Sequence, residues 1–379
     1  MKVIENIEFD VGSEESLSPS TIRDLVGAIF PYEWASADPA SLTITRTAGY
    51  ANTNYIVKRP VDEGKRCVEP VSVFVKLHGS GLGNLAVFEK HVPSKLDEAR
   101  LCESAAELHR LCARPYGLLT SKTNSRTVRV DEVLDARCLL PVDVEHAHIR
   151  ADIAASFAAL HTIEVAGWKN SDETFCGIMA RYGFNNDSSW RRLEAASIEA
   201  GVHMTNLIKC DFPTKIRQLE AKLDSMGAKR THCIHDVQFM NVLVKNHPQP
   251  GDNHIYLIDY EFAARNYRGF DIGGHFMQKN FQWYAETQIA DCRSYTRDEK
   301  QHFCAEYAKR WNEIMGDNDT AEQVLAEAEL GYLLAISFDL HNMALCIDIE
   351  GSKEVSNLLA FNKLYEMFME EWNKQELED

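Results

Sequence analysis

The chain has 379 residues, 45% hydrophobic and 26% charged, an ordinary globular composition with room for two domains. Its formal net charge of −17 argues against nucleic acid or an anionic membrane as partners and is compatible with a small cationic substrate. Ten cysteines without a CxxC pair, no stretch of membrane-spanning length and no signal-peptide core lead us to expect a cytoplasmic protein with reduced thiols.

In chain order, residues 1–17 are polar and read as loose. Ser18 and Pro19 then supply an N-cap and a first-turn proline. Ile22, Leu25, Val26, Ile29 and Phe30 share one helical face, and Pro31 ends the helix. Residues 42–46 and 54–58 read as strands joined by a loop of small residues over 47–53. Residues 71–77 alternate strictly, with Val71, Val73, Val75 and Leu77 on one face and Ser72, Phe74 and Lys76 on the other. A lysine on an interior strand face needs a partner, which singles out Lys76.

Residues 79–84 read as a flexible loop. A helix follows over 95–112, with Leu101, Ala105, Leu108 and Cys112 as its buried stripe and Asp97, Glu98, Glu103 and Glu107 as its acids. A strand over 127–134 leads to a domain boundary near 135–144. The next helix carries Ile149, Ile153, Phe157 and Leu160 and ends at His161, which reads as structural. Residues 164–212 contain Trp168, Phe175, Tyr182, Phe184 and Trp190 but show no clear element. A helix over 214–226 places Ile216, Leu219 and Leu223 on one side and stops at Gly227.

Residues 231–276 carry the chemistry. Asn241 lies five residues after Asp236 and opens an apolar run, 242–244. A turn containing Pro and Gly leads to a second run, 255–258, which ends at Asp259. This predicts a hairpin with a polar group at each critical corner. One carboxylate to orient and deprotonate a hydroxyl, with an amide and a second carboxylate for magnesium, is what phosphoryl transfer from ATP requires. Asp-x-x-x-x-Asn alone is also a common turn pattern. A His-Asp pair occurs in metal phosphohydrolases too, but on helices rather than before a strand.

With Asp-Tyr-Glu-Phe at 259–262 and Asn-Tyr-Arg-Gly-Phe-Asp-Ile-Gly at 266–273, the stretch resembles the choline/ethanolamine kinase family. That family belongs to the protein-kinase-like small-molecule kinases, related to aminoglycoside phosphotransferases. The match is specific here and much weaker elsewhere. The resemblance implies an α+β, bilobal protein-kinase-like fold. A small antiparallel-sheet lobe would cover residues 1–138 and a larger, mainly helical lobe 139–379. It implies ATP and Mg2+, with the γ-phosphoryl group passing to the hydroxyl of a small amino alcohol, choline first and ethanolamine second. That reaction is the first step of phosphatidylcholine and phosphatidylethanolamine synthesis.

By position in the motifs, Asp236 is the catalytic base and Asn241 and Asp259 bind the metal. Lys76 grips the phosphates, with Glu103 favoured over Glu98 as its acidic partner. Asn52, Thr53 and Gln238 are expected at the nucleotide. Gln238 and the pair Arg268-Gly269 look like the choline-kinase version of the motif. Glu261 supports the metal site and, with Gln278 and Trp283, is a candidate for substrate contact. Phe281 and Tyr284 offer further aromatic faces, and Asp271 belongs to a structural brace.

Three departures stand out. Ile234 holds the place of the family's loop histidine, with His232 and His235 nearby. Gly-Gly-His-Phe-Met-Gln at 273–278 replaces Gly-Asn-His-Phe-x-Glu, putting Gln278 where a glutamate is usual. The family's Trp-x-x-Trp element falls on 339–344, which has no tryptophan and whose Asp339 reads as a surface acid. An aminoglycoside, a sugar or another alcohol therefore stays open as acceptor, and a non-catalytic ATP-binding protein is the remaining alternative. Helices over 299–315, 321–349 and 355–372 complete the chain. No nucleic acid and no membrane insertion are expected, and a homodimer is left open.

Overall fold

The computed structural model describes the chain except residues 13–15, 48–51, 62–63, 65, 80–90, 166–172, 185–186, 284, 351–354, 376 and 378–379, and the side chains of 187 and 346–350. It forms two units, Met1–Gly83 with Ser94–Asp135, and Asn84–Pro93 with Ala136–Asp379.

The first unit runs β1 (Lys2–Ile7), α1 (Pro19–Ile29), β2 (Thr43–Thr47), β3 (Thr53–Lys58), β4 (Ser72–Leu77), α2 (Lys95–His109), β5 (Pro115–Ser121) and β6 (Thr127–Asp131). Its six-stranded sheet has the order β1-β5-β6-β4-β3-β2. Every pairing is antiparallel except β1 with β5. Val73, Val75 and Leu77 of β4 bury the predicted face against Ile22, Leu25, Val26 and Ile29 of α1. Ser18 caps α1 by accepting from the Thr21 amide at 3.1 Å. Residues 2–7 are not loose, as the sequence reading had them: β1 is an edge strand with mostly exposed side chains, so no alternation marks it, and its register comes from β5. Helix α2 also stops earlier than expected, at Arg110 in the left-handed region, and Leu108 is exposed.

The second unit runs β7 (Ala136–Cys138), α3 (Ala147–His161), α4 (Phe175–Ile178), α5 (Asp187–Ala200), α6 (Thr205–Ile208), α7 (Phe212–Ser225), β8 (Arg230–Cys233), β9 (Val242–Lys245), β10 (Ile255–Leu257), β11 (Ala264–Tyr267), α8 (Gly269–Gln278), α9 (Arg297–Met315), α10 (Ala321–Glu350) and α11 (Val355–Trp372). β9 and β10 form the predicted hairpin, with Leu257 opposite Val242. β7 pairs with β9, so residues 136–138 belong with the second unit, although the sequence division put them in the first domain. β8 and β11 form a separate antiparallel pair that brings the chain to residues 234–236.

Helices α8 and α10 cross in backbone contact. A Cβ added at Gly269 would lie 2.2 Å from the Glu327 carbonyl oxygen, and one at Gly273 2.2 Å from the Tyr332 amide. That contact explains why the 266–273 run needs glycine at these places. Among the described residues no helix is long and apolar enough to cross a membrane.

Candidate active site

The loop between β8 and β9 is held from below. Asp271 of α8 accepts from the backbone amides of Ile234 at 2.8 Å and His235 at 3.0 Å. The same carboxylate receives His161 Nε2 at 3.0 Å, and His161 Nδ1 accepts from the Tyr307 hydroxyl at 2.8 Å. His235 donates from Nδ1 to the Phe262 carbonyl at 2.9 Å and accepts from Asn266 Nδ2 at 3.0 Å. Its ring packs on Phe175, centroids 4.1 Å apart. Burial lowers its pKa to about 4, which keeps it neutral. The support expected of a histidine at 234 thus comes from His161 and His235, while the Ile234 side chain is buried. Asp271 and the run that contains it are the structural brace expected, and His161 is structural.

Two non-glycine residues here lie in the left-handed region, His235 at φ 62° and Asp259 at φ 65°. Such conformations persist where the surroundings impose them, and they gather at functional sites. One precedes Asp236 in the chain and the other is Asp259 itself, so the two acids are aimed by backbone that packing holds in place.

Asp236 is half-buried, and its carbonyl accepts from Asn241 Nδ2 at 3.1 Å. The amide of Ile258, next to Asp259, donates to the Asn241 carbonyl at 2.9 Å and ties the hairpin's corners together. Burial, followed by the charges of Asp259 and Glu261, raises Asp236 to about 7, against hydrogen bonds from the Gln238 and Asn241 side chains. Because Asn241 commits its NH2 to Asp236, its amide oxygen is the atom left for a cation. An amide oxygen and a carboxylate amid concentrated negative charge suit Mg2+, a hard cation that takes oxygen ligands and keeps waters. The residues present therefore fit the metal.

The substrate candidates form a chain of their own. Gln278, the last residue of α8, donates from Nε2 to Asp339 Oδ2 at 2.7 Å and accepts from Trp283 Nε1 at 2.8 Å. Trp283 lies flat on Phe281, centroids 4.7 Å apart at an interplanar angle of 3°. Glu261 is largely buried, and Tyr284 lies outside the described residues. Asp339 is not the surface acid expected. Burial and the charge of Asp236 raise it to about 8. A signal was available: residues 333–338 and 340 of α10 are all buried, and an acid inside a helix apolar on every side faces protein.

In the first unit Lys76 is buried with its Nζ 3.6 Å from Glu98 Oε1. Glu98 also meets Arg129 at 2.8 Å and Lys95 at 3.3 Å. Burial alone would raise Glu98, but Lys76 and Arg129 hold its carboxylate well below the usual range. The preference for Glu103 is therefore corrected: that side chain is partly exposed and takes the N-terminal ammonium of Met1. Glu98 continues the buried stripe of Leu101, Cys102 and Ala105 one turn back, and that spacing points to it. Asn52 Oδ1 accepts from the Gly79 amide at 3.3 Å, and Thr53 opens β3 opposite Leu77. Residues 48–51 and 80–84 of the two expected loops lie outside the described residues. Gln238, expected at the nucleotide, lies near enough to Asp236 to favour its carboxylate.

The chain overlays a choline kinase from Cryptosporidium parvum Iowa II with a TM-score of 0.67 at 15% identity, covering 94% of this chain and 95% of that one. The class is therefore the α+β protein-kinase-like fold. Residues 125–350, more than half of the chain, match the model of the choline/ethanolamine kinase family. The chain belongs to that family, whose members are phosphotransferases with an alcohol group as acceptor. It is 24% identical over 299 residues to a rat choline/ethanolamine kinase, covering 76% of this chain and 70% of the relative. With the mouse choline/ethanolamine kinase it shares 26% over 279 residues, 72% of this chain and 65% of that protein.

Proposed function

We propose that this chain transfers the γ-phosphoryl group of Mg-ATP to the hydroxyl of a small amino alcohol. The observation that carries the reading is the gathering of Asp236, Asn241 and Asp259 at the corners of one hairpin, with Asp236 raised to about 7. The Asp236 carboxylate orients the hydroxyl and takes its proton as the new O–P bond forms, and a pKa near the working pH suits a base. Asn241, through its amide oxygen, and Asp259 would hold magnesium, which when bound neutralises charge on the phosphates. Lys76, fixed by Glu98, is the phosphate-gripping cation.

In the sequence, Gln238 and Arg268-Gly269 favour choline. Gln238 lies near enough to Asp236 to favour its carboxylate. Arg268 is buried in a bidentate pair with Glu327 at 2.8 and 2.7 Å and reaches Asp319 at 2.5 Å. Both support the frame, and neither distinguishes acceptors. The names of the relatives cover choline and ethanolamine alike, and so does this proposal.

The test is ATP consumption with Mg2+ across choline, ethanolamine, an aminoglycoside and no acceptor. Turnover is expected with an amino alcohol, falling roughly 10²–10⁴-fold in Asp236→Ala. Turnover with the aminoglycoside alone would discard the acceptor class. ATP binding without any turnover would favour a non-catalytic protein.

A further inference from the structure

We infer that Asp339 binds the positive charge of the acceptor and selects a primary ammonium over a quaternary one. The inference rests on the amino-alcohol reading above and names the acceptor within it.

Asp339 sits within a buried stretch of α10, where an ionised carboxylate is costly without a counter-charge. Among the described residues it has no cationic partner, only the neutral Gln278 amide on Oδ2 at 2.7 Å. Its other oxygen, Oδ1, is left for a ligand. Asp236 lies close enough for its charge to act on Asp339. Two acids in mutual reach call for a cation, and an amino alcohol brings one. Its hydroxyl and nitrogen are two carbons apart, so the groups that receive them must be neighbours. We assign the hydroxyl to Asp236 and the nitrogen to Asp339.

The carboxylate is also held in place. Phe281 backs Trp283, Trp283 fixes Gln278 at 2.8 Å, and Gln278 fixes Asp339. A primary ammonium can give Oδ1 a charge-assisted hydrogen bond, the strong kind. A quaternary ammonium has no N–H, its methyl groups keep its charge farther from the oxygen, and it is better met by aromatic faces. Trp283, the aromatic candidate, has one face on Phe281 and its N–H on Gln278.

The experiment is steady-state phosphorylation of ethanolamine, N-methylethanolamine, N,N-dimethylethanolamine and choline by the wild type and by Asp339→Asn, with Mg-ATP saturating. In the wild type kcat/KM should fall along the series, ethanolamine exceeding choline by about tenfold or more. Asp339→Asn should lose roughly 10–100-fold on ethanolamine, mainly through KM, and change little on choline, flattening the series. Choline used as well as ethanolamine by the wild type would overturn the inference without any variant. So would an unchanged ethanolamine KM in Asp339→Asn. If the wild type used none of the four, the amino-alcohol reading itself would fall, and this inference with it.

Discussion

Glu98 and Glu103 share one helix and have different roles. Glu98 is buried between Lys76 and Arg129, whereas Glu103 is partly exposed and takes the ammonium of Met1. Glu98→Gln should therefore raise the KM for ATP by about tenfold, because an amide holds Lys76 less firmly than a carboxylate does. Glu103→Gln should leave ATP kinetics within about twofold of wild type, because its partner is Met1 and not Lys76. The reverse order would return the Lys76 partner to Glu103. At the proposed metal site, Asn241→Ala should raise the Mg2+ needed for half-maximal rate, and Asp259→Asn should lower kcat by on the order of 10²-fold or more. Rates measured against Mg2+ concentration check both, and an unchanged Mg2+ curve in Asn241→Ala would remove it from the metal. Asp236, Asn241 and Asp259 were legible in the sequence because they lie in one local stretch with fixed spacing. Glu98 and Asp339 were harder to read: the helix around each gives only a signal of burial, and the partners that define them are distant in the chain, Arg129 for one, Gln278 and Asp236 for the other.

The crossing of α8 and α10 places the brace beneath the loop that carries Asp236, and it tolerates no side chain at Gly273. An added Cβ would meet the Tyr332 amide at 2.2 Å and the Ala328 carbonyl oxygen at 2.3 Å, backbone atoms that cannot rotate away. Gly273→Ala should cost about 1–3 kcal/mol or more of stability in urea unfolding. A wild-type midpoint would mean that the two helices are not in backbone contact. At this scale the sequence predicted the long elements well. Helices near 19–29, 147–161 and 297–315 and the hairpin at 242–257 carry clear periodicity or turns. The sequence reading missed β5, which opens on Pro115 and contains Gly117, α5, whose residues are mostly small or polar, and α8, which carries Gly269, Gly273 and Gly274, as well as elements that are short or lack a buried face. β1 exposes most of its side chains, and α4 and α6 have four residues each, too few for a helical period to show.

For the whole molecule, two sets of groups pull stability in opposite directions as pH changes. His235, His275 and His341 are held neutral, mainly by burial, with pKa values of about 4, 3 and 4. Unfolded histidine titrates near 6.5, so below that pH the unfolded chain binds protons that the folded one refuses, and stability falls as pH drops toward 4. Asp236 and Asp339 act in the opposite sense. Their folded values of about 7 and 8 lie above the roughly 3.9 of an unfolded aspartate, so stability is lost as pH rises from about 4 and the loss is complete above about 8. The trends oppose each other below about 6.5, and of these five groups only the carboxylates act above it. Urea unfolding of the ligand-free protein should show a loss between pH 6.5 and 8 that Asp339→Asn reduces. An identical slope in the variant would mean that Asp339 is ionised at neutral pH.

The central claim is that Asp236 takes the proton from an alcohol that becomes phosphorylated. Phosphorus NMR of the products formed from Mg-ATP and ethanolamine or choline, by the wild type and by Asp236→Asn, tests it most directly. The wild type should form an O-phosphomonoester of the amino alcohol. Its formation should be slower by roughly 10²–10⁴-fold in a variant that still binds ATP and unfolds at the wild-type temperature. The same phosphomonoester made by Asp236→Asn at the wild-type rate would contradict it.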